Sequence, residues 1–173
     1  MIILGLGSNV GDRAGFLRAA VGRLGAILGD MRVSRVLESP ALLPENAPAD
    51  WNTPYLNMAV SGTSTLSAPQ LLDEVKKIER DLGRIPRGFW APREIDIDIL
   101  SICGQCCTSP ELTLPHAKIL SRDFVLLPIV DVAPDWRYPL AGEFSGKTAS
   151  EIAAAKGFAL GNHLRDTGLV IHA

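Results

Sequence analysis

Two aspartates, Asp96 and Asp98, stand one residue apart in the isoleucine-rich run "WAPREIDIDIL" at 90–100. Aspartate is a poor strand former, because its short carboxylate competes for local backbone hydrogen bonds and resists the loss of water. In a strand, side chains alternate faces, so Ile95, Ile97 and Ile99 point one way and Glu94, Asp96 and Asp98 the other. The two aspartate Cα atoms then lie roughly 6–7 Å apart. Carboxylates at that spacing can hold one hard cation, or two cations that share a substrate phosphate. Magnesium suits the arrangement, since it takes one or two protein carboxylates and completes its octahedron with water and phosphate oxygens. A half-exposed strand with a polar outer face gives the same pattern, and D-x-D alone does not decide. The setting adds weight: Arg84, Arg87 and Arg93 precede the pair, and His116, Lys118 and Arg122 follow it. Metal-binding carboxylates beside phosphate-binding arginines are the equipment of metal-dependent phosphoryl transfer.

A second group lies on "YLNMAVSGT" at 55–63, where Tyr55, Asn57 and Ala59 share one strand face and Leu56, Met58 and Val60 the other. An aromatic ring beside a carboxamide suits a flat heterocycle, one group stacking and the other bonding an edge; a tyrosine at the core margin fits equally. The N-terminal "GLGSNVG" is not a nucleotide loop. Its glycines at 5, 7 and 11 miss G-x-G-x-x-G by one residue, and no Walker-type lysine follows. Nor does a nucleophile elbow surround Ser8.

The elements that must position these groups come in a readable order. A strand spans 2–6. Phe16, Leu17, Ala20, Val21, Leu24, Ile27 and Leu28 then recur at helical spacing, with Asp12 as N-cap and Gly29 as stop. A strand is expected over 31–39, followed by a proline-rich stretch at 39–54, long enough to be a lid or binding loop. After strand 55–63, a Ser67/Gln70 capping box opens a helix whose stripe is Leu71, Leu72, Val75, Ile78 and Leu82, ended by Gly83. Strand 94–102 carries the aspartates. Strand, helix, strand, strand, helix, strand is the order of a ferredoxin-like βαββαβ core. The expected fold is α+β, with a mainly antiparallel sheet and additional C-terminal helices. One of these follows Ser121 and contains Pro128, and the other opens at a Thr148/Glu151 capping box. Residues 157–173 show no assignable pattern.

With 173 residues, 47% apolar and 21% charged, the chain reads as a single domain over 1–173. Seventeen basic and nineteen acidic residues give a formal charge of -2, which argues against bulk attraction to nucleic acid or an anionic membrane. No stretch approaches ~18 uninterrupted apolar residues, and no basic-then-apolar leader opens the sequence, so the cytoplasm is the expected compartment. Cys103, Cys106 and Cys107 in "CGQCC" lack the second ligand pair of a structural zinc site and are read as reduced thiols in a surface turn.

Taken together, "LGLGSNVGDR", "YLNMAV", "KIERDLGR", "WAPREIDIDIL", "LTLPHAKILSRDFVLLPI" and "VAPDW" resemble the 6-hydroxymethyl-7,8-dihydropterin pyrophosphokinases of folate synthesis, over about residues 2–136. The resemblance implies pyrophosphoryl transfer from ATP to the hydroxymethyl group of the dihydropterin, with release of AMP. Asp96 and Asp98 would hold two Mg2+ ions, and Arg84 and Arg93 would complete the catalytic set. Arg84, Arg93 and Arg122 match positions that face ATP phosphates or move with the catalytic loops, and Glu79, Ile99, Thr113 and His116 match positions lining the nucleotide site. Tyr55 and Phe124 would sandwich the pterin while Asn57 reads its polar edge. Ser39, Pro40 and Leu42 match the stretch closing on that ring, and Trp90 the mobile loop that covers it. A monomer acting on small molecules is expected, with a dimer left open.

Some positions depart from the family pattern. Phe89 and Pro86 stand where arginines are usual, Glu111 where an arginine can occur, Ala117 where tyrosine is frequent, and "WAPR" replaces "WGPR". Whether Arg84 or Arg87 reaches phosphate is left open by the shorter loop. Two other readings compete. A different two-metal nucleotidyltransferase would use the aspartates but leave Tyr55, Asn57 and Phe124 idle. A ferredoxin-like RNA module would need sheet aromatics and a basic surface that the sequence does not offer.

Overall fold

The computed structural model describes residues 1–88, 90–161 and 163–173; Phe89, one of the departures from the family pattern, lies outside them. The elements run β1 (Ile2–Ser8), α1 (Arg13–Leu24), β2 (Gly29–Val33), β3 (Leu37–Ser39), β4 (Tyr55–Thr63), α2 (Ala68–Asp81), β5 (Asp96–Ile102), β6 (Cys107–Thr108), β7 (Thr113–Leu114), α3 (Asp123–Val132), α4 (Ala149–Lys156) and β8 (Arg165–Asp166). The main sheet has the order β5-β1-β4-β3-β8, with β2 also on β4. Every pairing in it is antiparallel. The short β6 and β7 form a separate ribbon.

Alternation along the strands builds two cores. Ile2, Leu4 and Leu6 of β1, Leu56, Met58 and Val60 of β4, and Ile97 and Ile99 of β5 pack with the apolar stripes of α1 and α2. The opposite face contributes Ile3, Ala59 and Leu100, which pack against Leu126, Ile129 and Val132 of α3 and Ile152 of α4. The helices begin where the sequence places their caps. Asp12 Oδ1 accepts the Gly15 N–H at 2.9 Å, Gln70 Oε1 accepts the Ser67 N–H at 2.9 Å, and Glu151 Oε2 accepts the Thr148 N–H at 2.7 Å. Among the described residues no helix is long and apolar enough to cross a membrane. The three cysteines are free and exposed.

Several boundaries differ from the sequence reading; β1 runs on to Ser8 and α2 stops at Asp81. Helix α1 ends at Leu24, capped by Gly25. The chain then turns tightly, with Ile27 and Leu28 N–H donating to Leu24 O at 3.0 and 2.9 Å, so Leu28 stays buried and Gly29 opens β2. The strand expected over 31–39 is two strands, both on β4. It breaks at Ser34, whose hydroxyl accepts the Ala59 N–H at 2.8 Å and donates to Arg35 O at 2.7 Å. The strand expected from residue 94 starts at Asp96, leaving Glu94 outside it. Within 157–173, β8 extends the sheet beyond β3.

Candidate functional site

The α3 face of the sheet is bare at one end. In the register, Gly7 lies between Asp96 of β5 and Asn57 of β4, and Gly5 between Asp98 and Ala59. Opposed residues share a face and neighbouring strands are about 4.8 Å apart, so the Asp96 and Asn57 backbones are about 10 Å apart with no side chain between them. A Cβ on Gly7 would lie 3.5 Å from Asn57 Oδ1 and 3.6 Å from Tyr55 Cδ1. Over this floor opens a cleft of about 290 Å³, at the lower end of small-molecule sites, which span roughly 300–1,000 Å³.

Most of the expected site residues meet in this cleft. Tyr55 and Asn57 line it from β4, and Ser39, Pro40 and Leu42 from β3 and the following loop. Asp96 and Asp98 line it from β5, Trp90 and Arg93 from the loop before β5, and Arg122 and Phe124 from the start of α3. Asn57 Nδ2 donates to Ser39 Oγ at 2.9 Å, and the Arg122 guanidinium sits 5.8 Å from the centre of the Phe124 ring. Trp90 is 47% exposed and holds a positive φ of 66°.

The remaining candidates lie behind β5 or along its outer edge rather than on the cleft lining. Glu79, almost fully buried on α2, accepts the Ile97 N–H at 2.7 Å and pairs with Lys76 at 3.0 Å and with Arg84. Ile99 belongs to the core against α1 and α2. Thr113 is in β7, and the His116 N–H donates to Leu100 O at 2.8 Å, fastening that segment to β5.

The two aspartates live in opposite electrostatic circumstances. Asp96 receives Arg93 at 2.8 Å and Arg84 at 2.7 Å. Burial works to raise its pKa, but the two guanidiniums prevail and hold it below the usual range. Asp98 has no hydrogen-bond or ion-pair partner among the described residues, and burial together with the charge of Asp96 pushes its carboxyl up. Nearby, burial lowers the His116 imidazole despite the opposing charge of Asp98. Arg84 is thus the loop arginine at the carboxylates. Arg87 instead grips Glu94, at 2.5 and 3.0 Å, and its partner also accepts the Ile85 N–H at 3.3 Å.

Sequence reasoning overlooked Asn9 as a joint. Its N–H donates to Arg93 O at 3.1 Å, its Oδ1 accepts the Arg93 N–H at 2.8 Å, and its Nδ2 donates to Thr53 Oγ1 at 2.8 Å. One side chain therefore ties β1 to two loops. The signal available was the turn after β1, where a buried asparagine needs partners for both ends of its amide.

The profile of the 7,8-dihydro-6-hydroxymethylpterin-pyrophosphokinase (HPPK) family matches residues 3–134. A 2-amino-4-hydroxy-6-hydroxymethyldihydropteridine pyrophosphokinase of Porphyromonas gingivalis is 40% identical over 148 residues, covering 82% of this chain and 95% of that protein. One from Methylorubrum extorquens is 39% identical over 132 residues, covering 76% and 82%. A folate synthesis bifunctional protein of Chlamydia trachomatis serovar D is 40% identical over 157 residues, covering 88% of this chain and 35% of the relative. The chain thus spans about a third of the length of that longer protein. Among solved structures, a Plasmodium falciparum HPPK-DHPS triple mutant with pteroate superposes with a TM-score of 0.63 at 14% identity, over 90% of this chain and 43% of the other. The match through 3–134 takes in Asp96, Asp98, Tyr55 and Phe124 of the cleft, and this chain belongs to the 7,8-dihydro-6-hydroxymethylpterin-pyrophosphokinase family.

Proposed function

We propose that this chain transfers the pyrophosphoryl group of ATP to the hydroxymethyl group of 6-hydroxymethyl-7,8-dihydropterin and releases AMP. The observation that carries the reading is that one cleft joins a carboxylate pair at one end to an aromatic–carboxamide set at the other, across a glycine floor. Tyr55 and Phe124 flank the pterin and Asn57 bonds its edge, with Ser39 holding the amide and Pro40 and Leu42 closing that side. The hydroxymethyl group then extends along Gly7 toward Asp96. Arg84, Arg93 and Arg122 face the triphosphate, and Glu79, Ile99, Thr113 and His116 border the nucleotide along the outer edge of β5. Trp90 covers the ring when both substrates are bound.

The donor set fits magnesium. Asp98, without a partner among the described residues, and Asp96, whose arginines can turn to phosphate, supply two carboxylates to an ion that fills its other positions with water and phosphate oxygens. Two such ions would neutralise the triphosphate as charge shifts to the leaving AMP. The protein's own share is positioning and charge complementarity, so no strong side-chain base is required. The strand order β5-β1-β4-β3, with α1 and α2 on one face, supports a ferredoxin-like core for this single domain. Incubation with ATP, Mg2+ and the dihydropterin tests the reading. AMP should form only when the pterin is present; AMP without it, or none with it, refutes the assignment.

A further inference from the structure

The family match ends at residue 134, and the reaction proposed above uses nothing from the C-terminal segment. Yet within three residues that segment touches the residues adjoining both walls of the cleft. His163 Nε2 donates to Asp123 Oδ2 at 2.7 Å. The other oxygen of that carboxylate accepts the backbone N–H of Phe124 at 2.7 Å, and Phe124 lines the cleft. Two residues on, Arg165 pairs with Glu38, and β8 lies against β3 with Arg165 opposite Glu38 and Asp166 opposite Leu37. Glu38 adjoins Ser39, the hydroxyl that receives Asn57.

The crossing is secured on either side. Thr167 donates from its N–H and its hydroxyl to Val36 O, at 3.1 and 2.8 Å. Arg35 joins Asp131 of α3 at 2.6 Å and approaches Asp166 of β8 at 3.9 Å. A strand of three residues such as β3 has few ladder bonds of its own, and the start of α3 is packed chiefly through residues further along the helix. A ring sandwich tolerates little drift between its walls, because dispersion falls steeply with separation. A tie that reaches both walls is therefore placed to set their spacing.

We infer that residues 163–171 form a strap that fixes the gap between the Phe124 wall and the Ser39–Asn57 wall, with His163 and Arg165 as its positioning residues. This rests on the pterin reading and adds to it the part of the chain that sets the width of the ring slot. Both side chains are largely exposed, at 66% and 72%, so replacing either should leave the fold intact.

The test is calorimetry on the full chain with 6-hydroxymethylpterin, and separately with Mg2+ and a non-hydrolysable ATP analogue, alongside steady-state kinetics. An exposed contact to a carboxylate is worth up to about 1 kcal/mol, so His163→Ala should weaken pterin binding about two- to fivefold. KM for the dihydropterin should rise by the same factor, while kcat and affinity for the ATP analogue hold. Arg165→Ala should act in the same direction. His163→Gln, which can still donate to Asp123, should recover most of the loss. Equal loss for both ligands, identical behaviour of the alanine and glutamine variants, or wild-type pterin affinity in His163→Ala would overturn the strap alone. A wild-type chain that binds no pterin would overturn both the strap and the functional reading.

Discussion

A carboxylate held by two guanidiniums and a carboxylate with no partner among the described residues are different reagents, although both are aspartates two positions apart. Asp96 is compensated by Arg84 and Arg93. Removing its charge leaves Arg93 without its acidic partner and Arg84 with Glu79 alone, so Asp96→Asn should lower stability by about 1–3 kcal/mol as well as stopping turnover. Asp98 has no direct ion-pair partner among the described residues, and burial and the charge of Asp96 outweigh the more distant positive groups and disfavour its ionised form. Asp98→Asn should therefore hold or raise the denaturation midpoint while kcat falls about 10²–10³-fold, as when a group that stabilises transition-state charge is lost. Urea titration and AMP release, measured on both variants, check the contrast; matching stability losses would refute it. At the other end of the cleft, Asn57→Ala should cost about tenfold in pterin affinity, the worth of one or two buried hydrogen bonds, and leave ATP binding unchanged. The face shared by Asp96 and Asp98 was legible, because strand alternation is local. Their inequality was not, since it depends on where Arg84 and Arg87 land once the loop has folded back on α2 and β5.

At the scale of elements, the Arg87–Glu94 pair is one of the ties that hold the loop from 83 to 93. Arg87 clasps Glu94 and also donates to Pro92 O at 3.1 Å, joining the middle of the loop to its far end. The Arg87 bond, with weaker help from backbone donors, lowers the Glu94 carboxyl from 4.5 to about 2. A depressed carboxyl stabilises the fold above its unfolded pKa and loses that contribution as pH falls through the folded value. The advantage of wild type over Glu94→Gln should therefore be full at pH 6–7, shrink below about 4.5 and vanish near 2. Chemical denaturation across that range reads it out, and a difference independent of pH would contradict the assignment. The glycine floor makes a separate prediction. A Cβ at residue 7 meets its neighbours at ordinary contact distance, so Gly7→Val should fold yet abolish pterin binding by filling the slot. Such element-scale features divide by locality. The capped helices and β4 were readable from spacing, whereas the split between β2 and β3 turns on Ser34 bonding to Ala59, a partner 25 residues away.

At the scale of the whole molecule, the segment after α4 returns to the core. Ile171, two positions from the end of the sequence, is 6% exposed and belongs to the same core as β1, α1 and α2. No periodicity could reveal this, because a single isoleucine after a two-residue strand has no local pattern to join, and its partners lie at the other end of the chain. The core and the cleft are thus served by neighbouring parts of one tail: Ile171 anchors it, while His163 and Arg165 meet the cleft walls. These tasks should separate on mutation. Ile171→Ala removes buried methyl and methylene groups and leaves a cavity, so it should lower unfolding stability by about 2–4 kcal/mol. If the tail is part of the cooperative unit, the urea midpoint should fall with the slope unchanged, because the surface exposed on unfolding stays the same. At low temperature, where the variant remains folded, pterin affinity should stay near wild type because the β8 ladder still holds His163 and Arg165. A separate early transition in the variant would show instead that the tail docks independently of the core it caps.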